Sequence, residues 1–177
     1  MKKLSMEALN RLSPEAFGTT QKLPLVLVLD NVRSGMNVGS VFRTADAFAL
    51  EKIVLCGITA IPPHREILKT ALGSSETVVW EHHAQSLHAV EQLKEQGYQV
   101  FAVEQTSNKT WLQDFDPNSG EKYALVLGNE VEGVSDAVLQ ACAGAIEIPQ
   151  FGTKHSLNIA VAAGIAVWEI SRKIRFR

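Results

Sequence analysis

With 177 residues and 17 Lys and Arg against 19 Asp and Glu, the chain has the size of one compact domain. Its formal charge of −2 shows no bulk attraction for a polyanion. No apolar run approaches the ~20 residues needed to cross a bilayer, and a glutamate and an asparagine interrupt the stretch where a signal peptide needs a continuous apolar core. A membrane protein is therefore not expected, and a cytoplasmic location is.

In chain order, residues 1–22 predict a short helix around 6–12 and a turn at Ser13-Pro14, an appendage to a core domain spanning 23–177. An apolar run at 25–29 opens that core, and similar runs recur at 53–56, 77–80, 99–103, 124–127 and 145–148. They are rich in Val, Ile and Leu without strict alternation, which fits strands covered on both faces of a parallel sheet. Between them Val38, Val41, Phe42, Ala45, Phe48 and Ala49 follow a helical period, as do Leu87, Val90 and Leu93 before a stop at Gly97. Strand alternating with helix predicts an α/β fold with a mostly parallel sheet and flanking helices. The last segment, 155–172, is apolar nearly all round and rich in small residues: Ala160, Ala162, Ala163, Gly164 and Ala166. Such a helix is expected to be buried on most faces, under the sheet or against a second subunit, and composition leaves both open.

Cys56 and Cys142 have neither a metal-ligand spacing nor the density of a disulfide scaffold, and read as small buried hydrophobes. Basic residues cluster locally: Lys2, Lys3 and Arg11 near one end, Arg172, Lys173, Arg175 and Arg177 near the other, and Arg33 with Arg43 between. Brought together they would make a phosphate-binding stripe that net charge conceals; left apart they are an ordinary solvated surface.

Three stretches carry more polar and glycine residues than a packed core requires, and each follows a predicted strand, where ligands sit in open α/β sheets. In the first, 30–43, Asn37 suits a helix N-cap, and Gly39 and Arg43, four apart, share a helix face. Gly39 admits a ligand or another backbone; Arg43 either clamps a phosphate with its planar fork or stands on an exposed face. In the second, 127–135, Gly128 and Gly133 frame an acidic loop and Ser135 suits the cap of the next helix. There Glu130 is either a hydrogen-bond acceptor for a ligand or an arginine, or part of a solvated turn. The third, 148–158, places Ser156 and Asn158 at a helix start with free backbone N–H groups, and capping accounts for one of them. His155 is an acid/base candidate or surface decoration. No G-x-G-x-x-G, Walker lysine loop, G-x-S-x-G elbow or H-E-x-x-H is present, which weakens dinucleotide, NTPase, hydrolase and zinc-protease readings.

Together these stretches resemble the three motifs of the SpoU/TrmH family of RNA 2′-O-ribose methyltransferases, within the SPOUT superfamily. Asn37-x-Gly39-x-x-x-Arg43 is similar to the first motif and Leu127-Gly128-Asn129-Glu130-x-x-Gly133 to the second. Ile148-Pro149 through Ser156-Leu157-Asn158 is similar to the third. The order and spacing are those of the family, and the likeness covers roughly residues 23–172.

The resemblance implies an α/β fold whose C-terminal part is threaded into a deep trefoil knot, a homodimer formed through the C-terminal helix, and active sites completed from both chains. It implies S-adenosylmethionine as cofactor, bound bent by Thr106, Leu127, Gly128, Ile148, Ser156 and Leu157, with no metal. The implied reaction is in-line attack of a ribose 2′-hydroxyl of tRNA or rRNA on the sulfonium methyl. Family analogy assigns Arg43 to activating the hydroxyl, with Asn37, Glu130, Ser156 and Asn158 in the catalytic or supporting set. A guanidinium, with an intrinsic pKa above ~12, is a poor base, since neutralising it at pH 7 costs roughly 7 kcal/mol. Physically easier is for the arginine to grip the adjacent phosphate and polarise the hydroxyl while a phosphate oxygen or solvent takes the proton. Only about 22 residues precede the core, so RNA recognition is expected to rest on the core dimer and its short basic ends. Two other readings compete: a non-catalytic knotted RNA-binding module, against which the five intact residues count, and an ordinary doubly wound nucleotide-binding enzyme, which lacks its glycine-rich first turn.

Overall fold

The computed structural model describes residues 1–5 and 7–176. Among them, seven strands form one sheet: β1 (Leu23–Asp30), β2 (Leu50–Cys56), β3 (Trp80–His83), β4 (Tyr98–Val103), β5 (Lys109–Trp111), β6 (Lys122–Leu127) and β7 (Gly144–Glu147). The order is β3-β2-β1-β6-β4-β7-β5 and every pairing is parallel. The helices are α1 (Pro14–Thr19), α2 (Gly35–Ala47), α3 (Arg65–Ala71), α4 (Ser74–Thr77), α5 (Ser86–Glu95), α6 (Asp136–Ala141) and α7 (Ile159–Arg175). The mostly parallel α/β architecture expected from the sequence is the one found.

Burial on both faces explains why the strands do not alternate in polarity: alternate residues of one strand enter two different cores. Leu25, Leu27 and Leu29 of β1, with Leu125 and Leu127 of β6, pack on one side with α2, α3 and α7. Val26 and Val28, with Ala124 and Val126, pack on the other against α5 and α6. Burial pushes the Cys56 thiol up to about 12 and the Cys142 thiol up to about 11, which leaves both as unreactive packing residues.

The helix boundaries correct four readings. Ser34 caps α2, its side chain accepting from Asn37 N, so Asn37 lies inside the first turn with its own side chain released for other contacts. Ser13-Pro14 does not turn the chain away but starts α1, with Ser13 as cap and Pro14 in the first turn, where its missing N–H costs nothing. The helix expected around 6–12 is a single 3₁₀ turn, Glu7–Leu9; Met6 lies outside the described residues. The strand expected at 77–80 begins at Trp80, because Ser74–Thr77 close a helical turn whose last residue, Thr77, donates its hydroxyl to Asp46 Oδ2 at 2.7 Å. β5, a short exposed edge strand, carries no apolar run and was not expected.

Two other sequence features resolve differently from their ligand-binding readings. A Cβ on Gly39 would meet Thr70 Oγ1 and, at 2.5 Å, Ile67 O, so this glycine lets α3, not a ligand, approach α2. The basic tail is braced rather than free. Lys173 Nζ donates to Gln113 O and Phe115 O, each at 2.6 Å, Arg172 pairs with Glu169 at 2.8 Å, and Arg175 Nη2 donates to Phe48 O at 3.0 Å. Arg177 lies outside the described residues. Helix α7 starts at Ile159 rather than 155, and it is not buried on most faces: Ala163, Ala166, Val167 and Ile170 are, while Val161, Ile165 and Trp168 form an exposed stripe.

Candidate active site

Strands β1, β4, β6 and β7 end at the same edge of the sheet, and the three polar stretches leave from the ends of β1, β6 and β7. They surround a cavity of about 500 Å³. Leu127, Gly128, Ile148, Ser156 and Leu157 line it, as do Glu130 and Asn158. Thr106 does not, its hydroxyl donating instead to Asn108 O at 2.9 Å.

Backbone geometry shapes the β6 loop. Asn129 and Gly133 pair back to back, with Asn129 N donating to Gly133 O at 2.9 Å and Gly133 N to Asn129 O at 3.0 Å. Gly133 is left-handed at φ +72°, where glycine is strongly favoured. The Asn129 side chain holds the turn from inside, accepting from Val131 N and Glu132 N while its amide donates to Asn31 O at 2.8 Å.

Hydrogen bonds then join the three stretches. Glu130 accepts from Arg33 N at 3.1 Å, Ser34 N at 3.2 Å and Asn37 Nδ2 at 3.1 Å, a carboxylate seated over the start of α2 where positive dipole favours it. Asn37 Oδ1 in turn accepts from Asn158 Nδ2 at 3.1 Å, and Asn158 Oδ1 caps α7 at Ala160 N and Val161 N. Residues 37, 130 and 158, remote in sequence, thus form one polar chain in which Glu130 and Asn158 line the cavity and Asn37, which does not, bridges them; Ser156, two residues from Asn158, lines it too. Arg43 stands apart from it. It is exposed on α2, about 9 Å along the helix axis from Asn37, and makes no hydrogen bond or ion pair with the described residues.

Behind this rim lies a network that motif reading missed. Asp30, at the end of β1 and 1% exposed, accepts from Asn31 Nδ2, Ser86 Oγ, Ser135 N and Ser135 Oγ at 2.5–3.1 Å. Ser135 stands at the N-cap position of α6 but spends its hydroxyl on Asp30 rather than on the helix. Asn31 is left-handed at φ +56°, a conformation asparagine tolerates, and ties Asp30 to Ile58 N and to Asn129. A lone Asp-Asn pair at a strand end gives no signal by itself; only the fold shows that four donors converge on it.

Burial pushes the Glu130 carboxyl up, but the hydrogen bonds from the loop backbone, Arg33 N, Asn37 and Ser34 N outweigh it and hold the group below the ordinary value of 4.5. A depressed folded value means that its stabilisation is fully present above about 4.5 and is lost as pH falls through the lower folded value. Glu130→Gln turns an amide toward N–H donors, and the exposed position holds the cost to about 1 kcal/mol. Its Tm is expected to fall by about 2–4 °C at pH 7, with the gap from the parent closing in melts near pH 3. An equal gap at both pH values would show that the ionised carboxylate is not the source.

The cavity combines the carboxylates of Glu104, Glu132 and Glu147 with the apolar side chains of Leu127, Ile148 and Leu157, a set suited to a ligand both cationic and partly apolar. Glu104 Oε2 also accepts from Val134 N at 3.0 Å, which fixes that wall to the β6 loop. Among the described residues no group of three or more His, Cys, Asp and Glu could hold a metal ion, and no helix is long and apolar enough to cross a membrane.

The model of the SpoU rRNA methylase family matches residues 24–168. A 23S rRNA (guanosine-2′-O-)-methyltransferase RlmB of Neisseria meningitidis is 29% identical over 150 residues, covering 85% of this chain and 59% of that relative. Among solved structures, an AdoMet-bound rRNA methyltransferase from Sinorhizobium meliloti superposes with a TM-score of 0.79 at 29% identity, covering 92% of this chain and 61% of the other. The A. aeolicus TrmH/SpoU tRNA modifying enzyme gives 0.78 at 26% identity, covering 90% and 79%. The chain spans about 60% of the length of the curated relatives it matches.

Proposed function

We propose, since the chain belongs to the SpoU rRNA methylase family, that it transfers a methyl group from S-adenosylmethionine to a ribose 2′-hydroxyl of a transfer or ribosomal RNA. The observation that carries this reading is the hydrogen-bonded chain Glu130–Asn37–Asn158, which draws the three motif segments onto one rim of the cavity. The similar proteins act on both kinds of RNA, a 23S rRNA in one case and tRNA in another.

The cavity walls fit the cofactor. Leu127, Gly128, Ile148, Ser156 and Leu157 would hold it, with Glu104 and Glu132 supplying negative charge. When bound, S-adenosylmethionine supplies an electrophilic methyl on a positively charged sulfur. The chain's own task is positioning, which in a bimolecular displacement supplies much of the rate. Arg43, free of internal partners, grips the phosphate beside the target ribose and polarises its 2′-hydroxyl, while a phosphate oxygen or solvent takes the proton. Asn37, Glu130 and Asn158 fix the start of α2 and of α7 relative to the cavity, and Ser156 orients the ribose at its mouth.

The exposed stripe Val161, Ile165 and Trp168 on α7 supports a homodimer through this helix, with each site completed from both chains. Insertion of β6 between β1 and β4 and of β7 between β4 and β5, followed by the return of α7 to the α2 side, supports the reading of a C-terminal knot. Residues 23–177 are read as the catalytic domain and 1–22 as an appendage, and the cytoplasm as its compartment.

Incubation of the purified protein with labelled S-adenosylmethionine and separate tRNA and rRNA pools, followed by nucleoside mass spectrometry, tests the reading. A 2′-O-methylnucleoside is expected. A methylated base would overturn the ribose assignment, and saturable cofactor binding without transfer to either pool would favour a non-catalytic RNA-binding module.

A further inference from the structure

Beside the first cavity lies a second recess of about 400 Å³, within the roughly 300–1,000 Å³ range of small-ligand sites. Two aromatic side chains distinguish it. Trp111 ends β5, the open edge of the sheet, and Phe151 stands in the loop between β7 and α7. Neither lines the first cavity, yet Gln105, Glu147, Gln150 and His155 line both, so the two recesses adjoin.

Phe151 is open to solvent and Trp111 is partly so. Lys109 and Trp111, two apart on one strand, project from the same side. Lys109 Nζ sits 4.7 Å from the indole centroid and 3.0 Å from Glu147 Oε2, so one ammonium orients the ring and neutralises the carboxylate beneath it. Phe151 is 98% exposed, and its loop is tied down by the Gln105 amide donating to His155 O at 2.6 Å. A ring so placed forgoes the gain of burial inside its own chain. The surroundings are amides and a cation, Gln113, Gln150 and Lys154, which can hydrogen-bond the edge of a base and pair with a phosphate.

We propose that this recess binds a nucleobase of the substrate RNA that flanks the methylated nucleotide, stacked on Trp111 and Phe151, with Lys154 on its phosphate. The inference rests on the RNA methyltransferase reading above. Single-stranded RNA is read by splaying bases onto aromatic faces and hydrogen-bonding their edges, and the amides of Gln113 and Gln150 are placed for the second task.

Binding of end-labelled, unstructured octaribonucleotides and of unfractionated tRNA by fluorescence anisotropy tests the assignment, with S-adenosylmethionine affinity measured calorimetrically on the same preparations. W111A and F151A are each expected to weaken RNA binding about 10-fold, as loss of a stacking face does. W111F is expected to retain most of it, and the affinity for S-adenosylmethionine is expected to stay within about twofold. Phe151 is so exposed that F151A keeps the fold even if W111A does not.

RNA affinity unchanged in both variants, with methyl transfer intact in the parent, overturns the proposal and leaves the enzymatic reading standing. A parent that neither binds S-adenosylmethionine nor methylates RNA removes that reading itself. If adenosine monophosphate alone binds as tightly as the oligonucleotide and F151A loses it, the recess serves a free nucleotide; if F151A instead changes the sedimentation coefficient, the loop belongs to an interface between copies. Either result overturns the RNA assignment.

Discussion

Arg43→Ala is expected to slow methyl transfer by about 10²–10³-fold, the usual cost of deleting one group that stabilises charge in a transition state, while leaving the fold and cofactor binding intact. The separation of effects follows from where the side chain stands. Arg43 is exposed, has no partner among the described residues, and lies inside α2, where alanine is the best helix former. Its removal should therefore change stability by no more than about 0.5 kcal/mol. Single-turnover transfer of labelled methyl to RNA, beside a thermal melt of each variant, reads both quantities. Arg43→Lys divides the roles further. It keeps the charge but loses the planar fork, so a lysine variant nearly as slow as the alanine one would show that bidentate geometry, not charge alone, does the work. An alanine variant transferring methyl at the parent rate would remove Arg43 from the reaction.

Gly128→Ala is expected to abolish saturable S-adenosylmethionine binding in calorimetry, with a loss of at least about 100-fold. A Cβ at this position would collide with backbone atoms of Gly133 and Val134, which cannot swing aside as a side-chain tip could. To admit the methyl, the hairpin held by Asn129 and Gly133 must open, and that movement drags Val134 N from Glu104 and Ser135 from Asp30. The cavity wall itself is displaced. Overpacking of this kind costs about 3 kcal/mol, and the Tm is expected to drop by about 6–12 °C. A G128A protein that binds the cofactor like its parent would mean that the β6 loop does not form the wall.

Much of the fold was legible because its determinants are local. The runs at 25–29, 99–103 and 124–127 read as doubly covered strands, since a strand in the middle of a parallel sheet has no polar face to show. The short edge strand β5 escaped notice for the opposite reason: Lys-Thr-Trp, all exposed, becomes a strand only by pairing with β7. At the start of α2 the sequence pointed to Asn37 as the cap, but Ser34 holds that place, and the Asn37 side chain donates instead to the Glu130 carboxylate arriving from β6.

The motif residues were named from their order along the chain, but their relations were not visible there. Nothing in the spacing of Asn37 and Asn158 says that their amides meet at 3.1 Å, or that Thr106 turns from the cavity its neighbours line. Asp30, Asn31 and Asn129 carry no motif signal strong enough to single them out, although they hold the loops in place.

By itself the sequence determined the class of fold, the helix and strand periods, the three candidate segments and the family they resemble, because propensity, periodicity and motif order are properties of neighbouring residues. Tertiary structure decided what each polar group is for. It turned the basic tail into a brace for the segment after β5, assigned Gly39 to helix packing, and left Arg43, Trp111 and Phe151 facing solvent. A side chain's use depends on which donors, charges and rings the sheet order brings within about 3–5 Å of it, and that order places β6 beside β1 and β7 beside β5 across distances no local pattern encodes.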